Sequence, residues 1–197
     1  MKSTFKNFIF SALLTLTTLS ASAQMYINQY EPQATFERGL LLFENRHYAS
    51  ALECFENYLM MVDDKNDANI VMAKYYEAVS SLFLGNSKGE NKIITFVKEN
   101  PTHLMAEHAN FLYGNTLFNN KKYRDALRIY NKVDRESLNE EERYEYEFKK
   151  AYCYYQTNDI EKAEPIFEEL TMSDNPYRDD ARYYYAHILY INENHDE

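Results

Sequence analysis

The stretch FLYGNTLFNNKKYRDALRIYNKV, residues 111–133, predicts two amphipathic helices joined by a short polar turn. Gly114 lies inside the first helix, where a glycine costs roughly 1 kcal/mol relative to alanine. Tyr123, Ala126 and Tyr130 follow it at offsets of 9, 12 and 16 residues. The glycine therefore predicts a close approach of the two helices, in which Gly114 meets Ala126 and the two tyrosines fill the space around them.

The same spacing of a small, a large, a small and an aromatic residue recurs at two other places in the chain. These sets are Gly39, Tyr48, Ala51 and Phe55, and Ala151, Ile160, Ala163 and Phe167. Asn-Pro pairs at 100–101 and 175–176 favour helix boundaries, because proline suits a helix start and disfavours helix in the residue before it. We therefore expect an all-α fold of antiparallel helix pairs, in units near 32–66, 67–101, 102–137 and 138–175, with a partial unit at 176–197.

This pattern resembles the tetratricopeptide repeat family, whose helix A carries a small residue and whose helix B carries an alanine flanked by aromatics. The resemblance rests on GLLLFENRHYASALECFENYL (39–59), GNTLFNNKKYRDALRIYNKV (114–133) and AYCYYQTNDIEKAEPIFEEL (151–170). It implies a right-handed α-solenoid of about four and a half helix pairs over residues 24–197. The residues expected to pack within the repeats are Gly39, Ala51, Gly114, Ala126, Ala151, Ala163 and Ala186.

Three units depart from the family pattern. In the second, Gly89 stands where alanine is usual, and the small position of the first helix falls near Glu77 or Ala78. In the fourth, Pro165 inside helix B predicts a late helix start or a slight kink. The fifth has only its first helix, whose apolar character differs from that of a polar capping helix. The sequence therefore favours the N-terminal piece of a longer array, with a capping role for this helix as the alternative.

The family's first helices line a concave face, so the resemblance implies a groove that binds a partner peptide or helix. Asn115 and Asn119 are expected to bond to the backbone of that partner. Lys74 is the one basic residue at groove positions, which disfavours a clamp for a free C-terminal carboxylate. The alternative is that the aromatic residues at these positions are ordinary packing between repeats. The implied groove residues are Phe36, Leu40, Phe43, Lys74, His108, Phe111, Asn115, Phe118, Asn119, Phe148, Tyr152, Tyr155, Gln156, Tyr183, His187 and Tyr190.

The N-terminus has the features of a secretory signal peptide. A lysine-containing start is followed by the apolar run FIFSALLTLTTL (8–19) and by small residues at Ala21 and Ala23. The run is shorter than the roughly 20 residues of a membrane span. We therefore expect cleavage after Ala23, no integral span afterwards, and a location in the periplasm or envelope. An uncleaved anchor or a coincidental apolar start is the alternative.

The chain carries 21 Lys and Arg against 31 Asp and Glu, a formal charge of −10, and loss of the two signal-peptide lysines makes it −12. This balance argues against nucleic acid or an anionic membrane as the partner, because phosphate binding rests on basic clusters. Cys54 and Cys153 fall three units apart, beyond the roughly 7 Å that a disulfide allows between Cα atoms. We expect both to be buried, unbridged thiols.

The sequence shows no catalytic constellation and predicts neither a metal nor a cofactor. No two of the five histidines have the i, i+4 spacing of a helical zinc site, and the four glycines are scattered. The run NEEERYEYE (139–147) fits an acidic first turn, with Ser137 and Glu140 as its capping box. We therefore expect a non-catalytic, protein-binding scaffold. The alternatives are a docking module of a larger enzyme or signalling protein, and a self-associating structural repeat protein.

Overall fold

The computed structural model describes residues 31–64, 67–85 and 88–195, so the expected signal peptide at 1–23 lies outside the described residues. These residues form nine α-helices and no strand, which confirms the all-α prediction. None of the helices in the described part of the chain combines the length and apolar character needed to cross a membrane. The helices are α1 (Pro32–Glu44), α2 (Tyr48–Met61), α3 (Ile70–Phe83), α4 (Gly89–Glu99), α5 (Leu104–Asn119), α6 (Tyr123–Tyr130), α7 (Glu140–Gln156), α8 (Ile160–Met172) and α9 (Arg178–His195), with a 3-10 turn at Arg135–Ser137.

The described residues form two compact units, which divide between Ser80 and Ser81 within α3. In the first unit α1 and α2 pack along each other, and the start of α3 packs against both. Phe55 of α2 stacks on Tyr76 of α3 with ring centroids 5.3 Å apart. The buried core of this unit consists of Phe36, Ala51, Phe55, Tyr58 and Ala73.

In the second unit each helix from α5 to α8 packs against the helix before it and the helix after it, and α7 also contacts α5. One core lies between α7, α8 and α9 and is formed by Ala151, Ala163, Phe167, Leu170, Ala181 and Ile188. This succession of helix pairs is consistent with a tetratricopeptide-like helical solenoid, as the repeat spacing predicts.

Two glycines make room for aromatic rings of the neighbouring helix. A Cβ added to Gly114 would lie 2.5 Å from Cε1 of Tyr130, and one added to Gly39 would lie 2.8 Å from Cε1 of Phe55. The nearest side chain is thus the aromatic residue four positions after the alanine, whereas the sequence pattern predicts contact with the alanine itself. The difference arises because a ring extends far enough from its helix to lie directly on the neighbouring backbone.

Gly89 allows an even closer approach, between two backbones. A Cβ at this first residue of α4 would lie 2.7 Å from the carbonyl oxygen of Ser81 and 2.8 Å from Cα of Leu82. A side chain there would collide with main-chain atoms, which cannot rotate away. The second repeat therefore carries glycine at this position because α4 begins against the backbone of α3.

The turns between paired helices share one backbone feature that the sequence analysis did not predict. Arg46, Lys121 and Asn158 have φ angles of 61°, 59° and 63°, and each lies two residues beyond the end of its helix. Gly85, with φ of 63°, takes the same place after α3. Left-handed backbone at a helix end is usually marked by glycine and sometimes by asparagine, so the turns that contain Arg46 and Lys121 gave no composition signal.

Hydrogen bonds show why the left-handed residue recurs. In the first turn the N–H of His47 donates to the carbonyl oxygen of Leu42 at 2.8 Å, and the N–H of Arg46 donates to that of Phe43 at 2.9 Å. The same pair of bonds recurs in the turns that contain Lys121 and Asn158. This is a Schellman motif, which satisfies the last carbonyl groups of a helix while the chain reverses. The repeats therefore use one turn geometry for different residues.

Helix α7 is capped at Asn139, the first residue of the acidic run. The Oδ1 atom of Asn139 accepts from the N–H of Glu142 at 2.9 Å, and Oε2 of Glu142 accepts from the N–H of Asn139 at 3.1 Å. The capping box thus lies two residues after the predicted pair of Ser137 and Glu140. Ser137 is instead in the 3-10 turn, where its hydroxyl donates to the carbonyl of Asp134 at 2.6 Å. The predicted acidic first turn is confirmed.

The structure also bears on the predictions for Pro165 and for the two cysteines. Helix α8 begins at Ile160 and contains Pro165, so the predicted late helix start is wrong. Cys54 and Cys153 are both buried and free, as the sequence predicts for small apolar thiols. Burial raises the pKa of both thiols, and that of Cys153 reaches about 12.

Candidate functional site

Helices α5, α7 and α9 are the first helices of successive pairs in the second unit and carry most of the predicted groove positions. We call this surface the A face. It is defined by His108, Asn115, Phe118, Asn119, Tyr152, Tyr155, Gln156 and His187.

Polar contacts join α5 to α7 at one end of the A face. Nε2 of His108 lies 2.8 Å from Oε1 of Glu142, and Nδ2 of Asn115 donates to Oε1 of Glu145 at 3.2 Å. On its other side, Asn115 accepts a hydrogen bond from the Tyr130 hydroxyl at 2.7 Å. The Asn115 amide, predicted to bind a partner's backbone, is therefore held in one orientation by two internal bonds.

Aromatic contacts continue the A face toward the other end of the helices. Tyr152 of α7 lies edge-to-face with Phe118 at 5.4 Å, with Tyr123 at 5.7 Å and with Tyr184 at 5.2 Å between ring centroids. Tyr155 bonds through its hydroxyl to Nδ1 of His187 at 3.0 Å. These rings link α5, α7 and α9, so the aromatic residues at these positions fix neighbouring repeats against each other.

Carboxylates gather near one edge of the A face. Tyr177, just before α9, stacks on Phe148 with centroids 4.9 Å apart. The pKa of Tyr177 is raised first by burial and then by the carboxylates of Glu145, Glu141 and Asp180. Each of these negative charges disfavours a phenolate nearby. This edge therefore presents acidic groups around an aromatic pair.

Lys149 offsets part of this charge. Its Nζ atom lies 2.5 Å from Oε1 of Glu145 and 5.3 Å from the centroid of the Phe118 ring. The ammonium group thus lies between a carboxylate and an aromatic face, which is an arrangement that favours a cation. The rings and carboxylates of the A face thus already hold one positive charge, that of Lys149.

The aromatic residues among the predicted groove positions are not uniformly exposed. Phe36 and Phe111 are buried, with 5% and 2% exposure, so they serve the cores of their units. Phe148 is partly buried, whereas Tyr183 and Tyr190 are 66% and 67% exposed. Leu40, Phe43 and Lys74 are partly buried in the first unit. Phe36 and Phe111 therefore fit the alternative that these aromatic residues are ordinary packing between repeats. The exposed fraction of the predicted groove residues increases toward α9.

Two amides remain at the surface of the A face. Asn119 and Gln156 are the last residues of α5 and α7, occupy equivalent repeat positions and are both exposed. Ala186, expected to pack inside the fifth unit, is also exposed. The core contacts of α9 come instead from Ala181 and Ile188. The helix thus meets α8 through the side opposite to Ala186.

Glu142 and Glu145 were missing from the predicted groove residues, although they bond to His108 and Asn115. Glu145 lies 37 residues after His108, which is also the separation of Ala151 from Gly114. Glu145 therefore occupies in its repeat the position that His108 occupies in the preceding one. The sequence alone could have indicated it as a groove residue. Glu142 had no such signal, because its role depends on His108, which lies on the first helix of the preceding pair.

A cavity of about 550 Å³ lies between α7 and α8, away from the A face. Arg135 pairs there with Glu147, and its Nη2 atom lies 3.2 Å from Oε1 of Glu169. Glu147 is only 7% exposed, and burial raises its pKa more than the attraction of Arg135 lowers it. The cavity is therefore lined by charged groups of both signs, two arginines and three glutamates.

Across residues 31–64, 67–85 and 88–195, no three His, Cys, Asp or Glu side chains are placed to hold a metal ion. The A face offers half-exposed rings, exposed amides and carboxylates. Such groups can dock a polypeptide segment.

Residues 145–177 match the family model of the tetratricopeptide repeat. The match spans most of α7, the whole of α8 and the Asn175–Pro176 pair. No curated protein and no solved structure matches the chain. The match identifies one tetratricopeptide repeat at residues 145–177, and the succession of helix pairs is consistent with further repeats of this kind. Such repeats suggest a scaffold for protein–protein interaction.

Proposed function

We propose that this protein is a non-catalytic scaffold of the bacterial cell envelope, which binds a segment of another protein on the A face. The observation that carries the proposal is the equivalent placement of Asn119 and Gln156. Both amides are exposed at the ends of neighbouring first helices, beside the ring contacts of Phe118, Tyr152 and Tyr155. Rings with adjacent amides suit a polypeptide, because they provide apolar contact and bonds to its backbone.

The internal contacts of the A face support a binding surface that exists before the partner arrives. The Asn115–Glu145 and Tyr155–His187 bonds connect successive first helices at 3.2 Å and 3.0 Å. Side chains held in this way lose little freedom on binding, and this lowers the entropic cost of association.

The charge of the A face indicates the kind of partner. Glu141, Glu145 and Asp180 lie around Tyr177, and the whole chain has a formal charge of −10. A segment with Lys or Arg residues is therefore favoured, because complementary charge accelerates encounter and disfavours acidic partners. Binding should weaken as salt increases.

The envelope part of the proposal is supported by the sequence of the N-terminus. The apolar run at 8–19 and the small residues Ala21 and Ala23 fit an exported chain. Fractionation of cells that produce the full chain, with N-terminal sequencing of the recovered protein, tests this part. Recovery in the cytoplasm with residues 1–23 retained would contradict it.

The binding part is tested by site-specific photo-crosslinking in cells. A photoreactive amino acid replaces Asn119 or Gln156, and matched variants carry it at Arg128 or Glu169, which are exposed on second helices of the pairs. We expect the same protein adduct from both A-face positions and none from the two control positions. Adducts that are identical at all four positions, or absent from the first two, would contradict binding on the A face.

A further inference from the structure

A cleft of about 500 Å³ lies at the C-terminal ends of α5 and α7. It is lined by residues 121–125, which form a turn and the start of α6, and by residues 156–158 at the end of α7 and in the turn after it. We call it the turn cleft. Gln156 belongs to both the turn cleft and the A face, so the two surfaces are continuous.

The turn cleft is basic, although the chain as a whole has a formal charge of −10. Its lining includes Lys121, Lys122 and Arg124, and all three are exposed. Nζ of Lys122 lies 3.6 Å from Oε1 of Glu90, so this charge is compensated. Among the described residues, Lys121 and Arg124 have no ion-pair partner.

Local structure does not account for these two cations. Of the described residues that line the turn cleft, only Asp125 is acidic, and its Oδ1 atom lies 3.2 Å from Nη2 of Arg128. Arg124 is the second residue of α6, where a positive charge opposes the helix dipole. Lys121 has left-handed backbone, which glycine adopts at lower cost. Residues that break local preferences without compensation are candidates for binding.

The other end of α7 carries the opposite charge. Glu141 and Asp180 lie near Tyr177 and are exposed, and neither has an ion-pair partner among the described residues. Glu145 beside them is already paired with Lys149. The A face is therefore acidic near Tyr177 and continues, at the far end of α7, into a basic cleft.

Helix α7 sets the distance between the two charged ends. From Glu141 to Gln156 it rises about 22 Å, at 1.5 Å per residue. An extended segment covers this distance in about seven residues. We favour an extended segment over a helix, because the exposed amides of Asn119 and Gln156 can bond only to backbone groups that are not already used within a helix.

We propose that the segment bound on the A face is extended and carries opposite charges about seven residues apart. Its Lys or Arg side chains lie beside Glu141 and Asp180, and its internal Asp or Glu side chains enter the turn cleft and pair with Lys121 and Arg124. This proposal rests on the proposed function and specifies the charge pattern of the partner. A polypeptide is favoured over nucleic acid or a membrane, because the carboxylates at the acidic end repel a polyanion.

The test uses the full chain and fluorescent peptides with a neutral dye at the N-terminus and an amide at the C-terminus, so that neither end adds charge. KKTFTVTVEE and its reverse, EEVTVTFTKK, carry the proposed pattern in both chain directions. In the controls KKTFTVTVQQ and QQVTVTFTKK, glutamine replaces the glutamates. Fluorescence anisotropy is measured at about 0.01 M salt, where screening is weak.

In at least one direction, the glutamate peptide should show saturable binding at least about threefold tighter than its glutamine control. The net charge of the protein alone favours the opposite order, because the glutamine peptides are the more positive. Equal or tighter binding of the glutamine peptides in both directions, or no binding of any peptide, would overturn the proposal. So would inorganic phosphate that abolishes the difference at an ionic strength where chloride does not, since the cleft would then be a site for a free anion.

Protein variants locate the effect. The difference between glutamate and glutamine peptides should disappear in the Lys121→Gln/Arg124→Gln protein. It should remain in an Arg46→Gln/Lys132→Gln protein, which loses the same charge at exposed residues outside the turn cleft and alters the left-handed turn residue of another repeat. A difference that persists in the first variant, or disappears in both, would contradict the role of the cleft.

Photo-crosslinking in cells separates this proposal from the proposed function. With the photoreactive amino acid at Asn119, the yield of the protein adduct should fall in the Lys121→Gln/Arg124→Gln protein and stay unchanged in the control protein. An undiminished adduct would overturn the charge pattern and leave binding on the A face in place. Absence of any adduct at Asn119 and Gln156 of the wild type would contradict the proposed function and, with it, this proposal.

Discussion

The Tyr130 hydroxyl donates to Oδ1 of Asn115 at 2.7 Å, while the ring of the same tyrosine covers Gly114. One side chain on α6 therefore fills the space at the glycine and orients the amide that follows it on α5. The carbonyl oxygen of Tyr130 also accepts from the Tyr146 hydroxyl of α7 at 3.1 Å. The packing of one helix pair and the order of the A face thus depend on the same residue.

We expect Gly114→Ala to destabilise the protein by up to about 2 kcal/mol. The gain in helix propensity is about 1 kcal/mol, but overpacking against a buried ring costs about 1–3 kcal/mol. Thermal and urea unfolding measure the change. In a Tyr130→Leu background, where the ring is absent, the same substitution should be neutral or stabilising. Equal effects in the two backgrounds would show that the ring is not the cause.

We expect Arg46→Gly and Lys121→Gly each to stabilise the protein by up to about 1 kcal/mol, because left-handed backbone is unfavourable for residues with a Cβ. Asn158→Gly should gain less, since asparagine tolerates this conformation better than most residues. The melting temperatures of the three variants provide the comparison. Gly85→Ala should be destabilising although nothing lies within 4 Å of the added Cβ, which isolates the backbone contribution.

The N-cap of α7 gives a third prediction. Asn139→Ala should lower the free energy of unfolding by about 1 kcal/mol, because the N–H of Glu142 loses its side-chain acceptor. For a chain of this size, that corresponds to a melting temperature lower by about 2–4 °C. Asn139→Ser, which keeps a capping oxygen, should recover most of the loss. A loss of the same size in both variants would argue against the capping box.

A fourth prediction concerns pH and Glu147. Burial raises the pKa of this carboxyl in the folded protein, so the folded state holds the proton more tightly than the unfolded state. The resulting stability is fully present below the ordinary carboxyl pKa and is lost as pH rises through the raised value. Each unit of pKa difference corresponds to about 1.4 kcal/mol.

Glu147→Gln removes this titration, while Arg135 keeps Glu169 as a partner. The stability of the variant relative to the wild type should therefore increase between about pH 4 and pH 7, as urea unfolding at each pH would show. Glu169→Gln, at a residue that is much more exposed, serves as the matched control. A difference that is constant or falls with rising pH would contradict the role assigned to burial.

The two thiols give a fifth prediction. Cys54 and Cys153 are buried, and burial raises the pKa of each thiol, so little reactive thiolate is accessible in the folded protein. A coloured disulfide reagent should label neither residue on the time scale of minutes under native conditions, and both after unfolding in guanidinium chloride. Rapid native labelling of Cys153, which has no exposed surface, would contradict its position in the core.

Much of the fold could be predicted because the helix pairs repeat one local spacing. Gly39 and Gly114 marked close approaches, and the structure places an aromatic ring against each. The left-handed residues Arg46 and Lys121 gave no such signal, because their conformation follows from the turn that joins the helices and not from their own preference. The residue that caps α7 is Asn139 and not the predicted Ser137, because Ser137 lies in the 3-10 turn that precedes the helix.

The sequence by itself determined the helices and their pairing, since the period of apolar residues and the offsets from glycine to alanine to aromatic are properties of the chain alone. Only the tertiary structure decided that Phe111 is buried while Tyr183 is exposed, although the two occupy equivalent positions in their repeats. Exposure depends on whether another helix covers a side chain. That is a relation between distant segments, and no single repeat contains it.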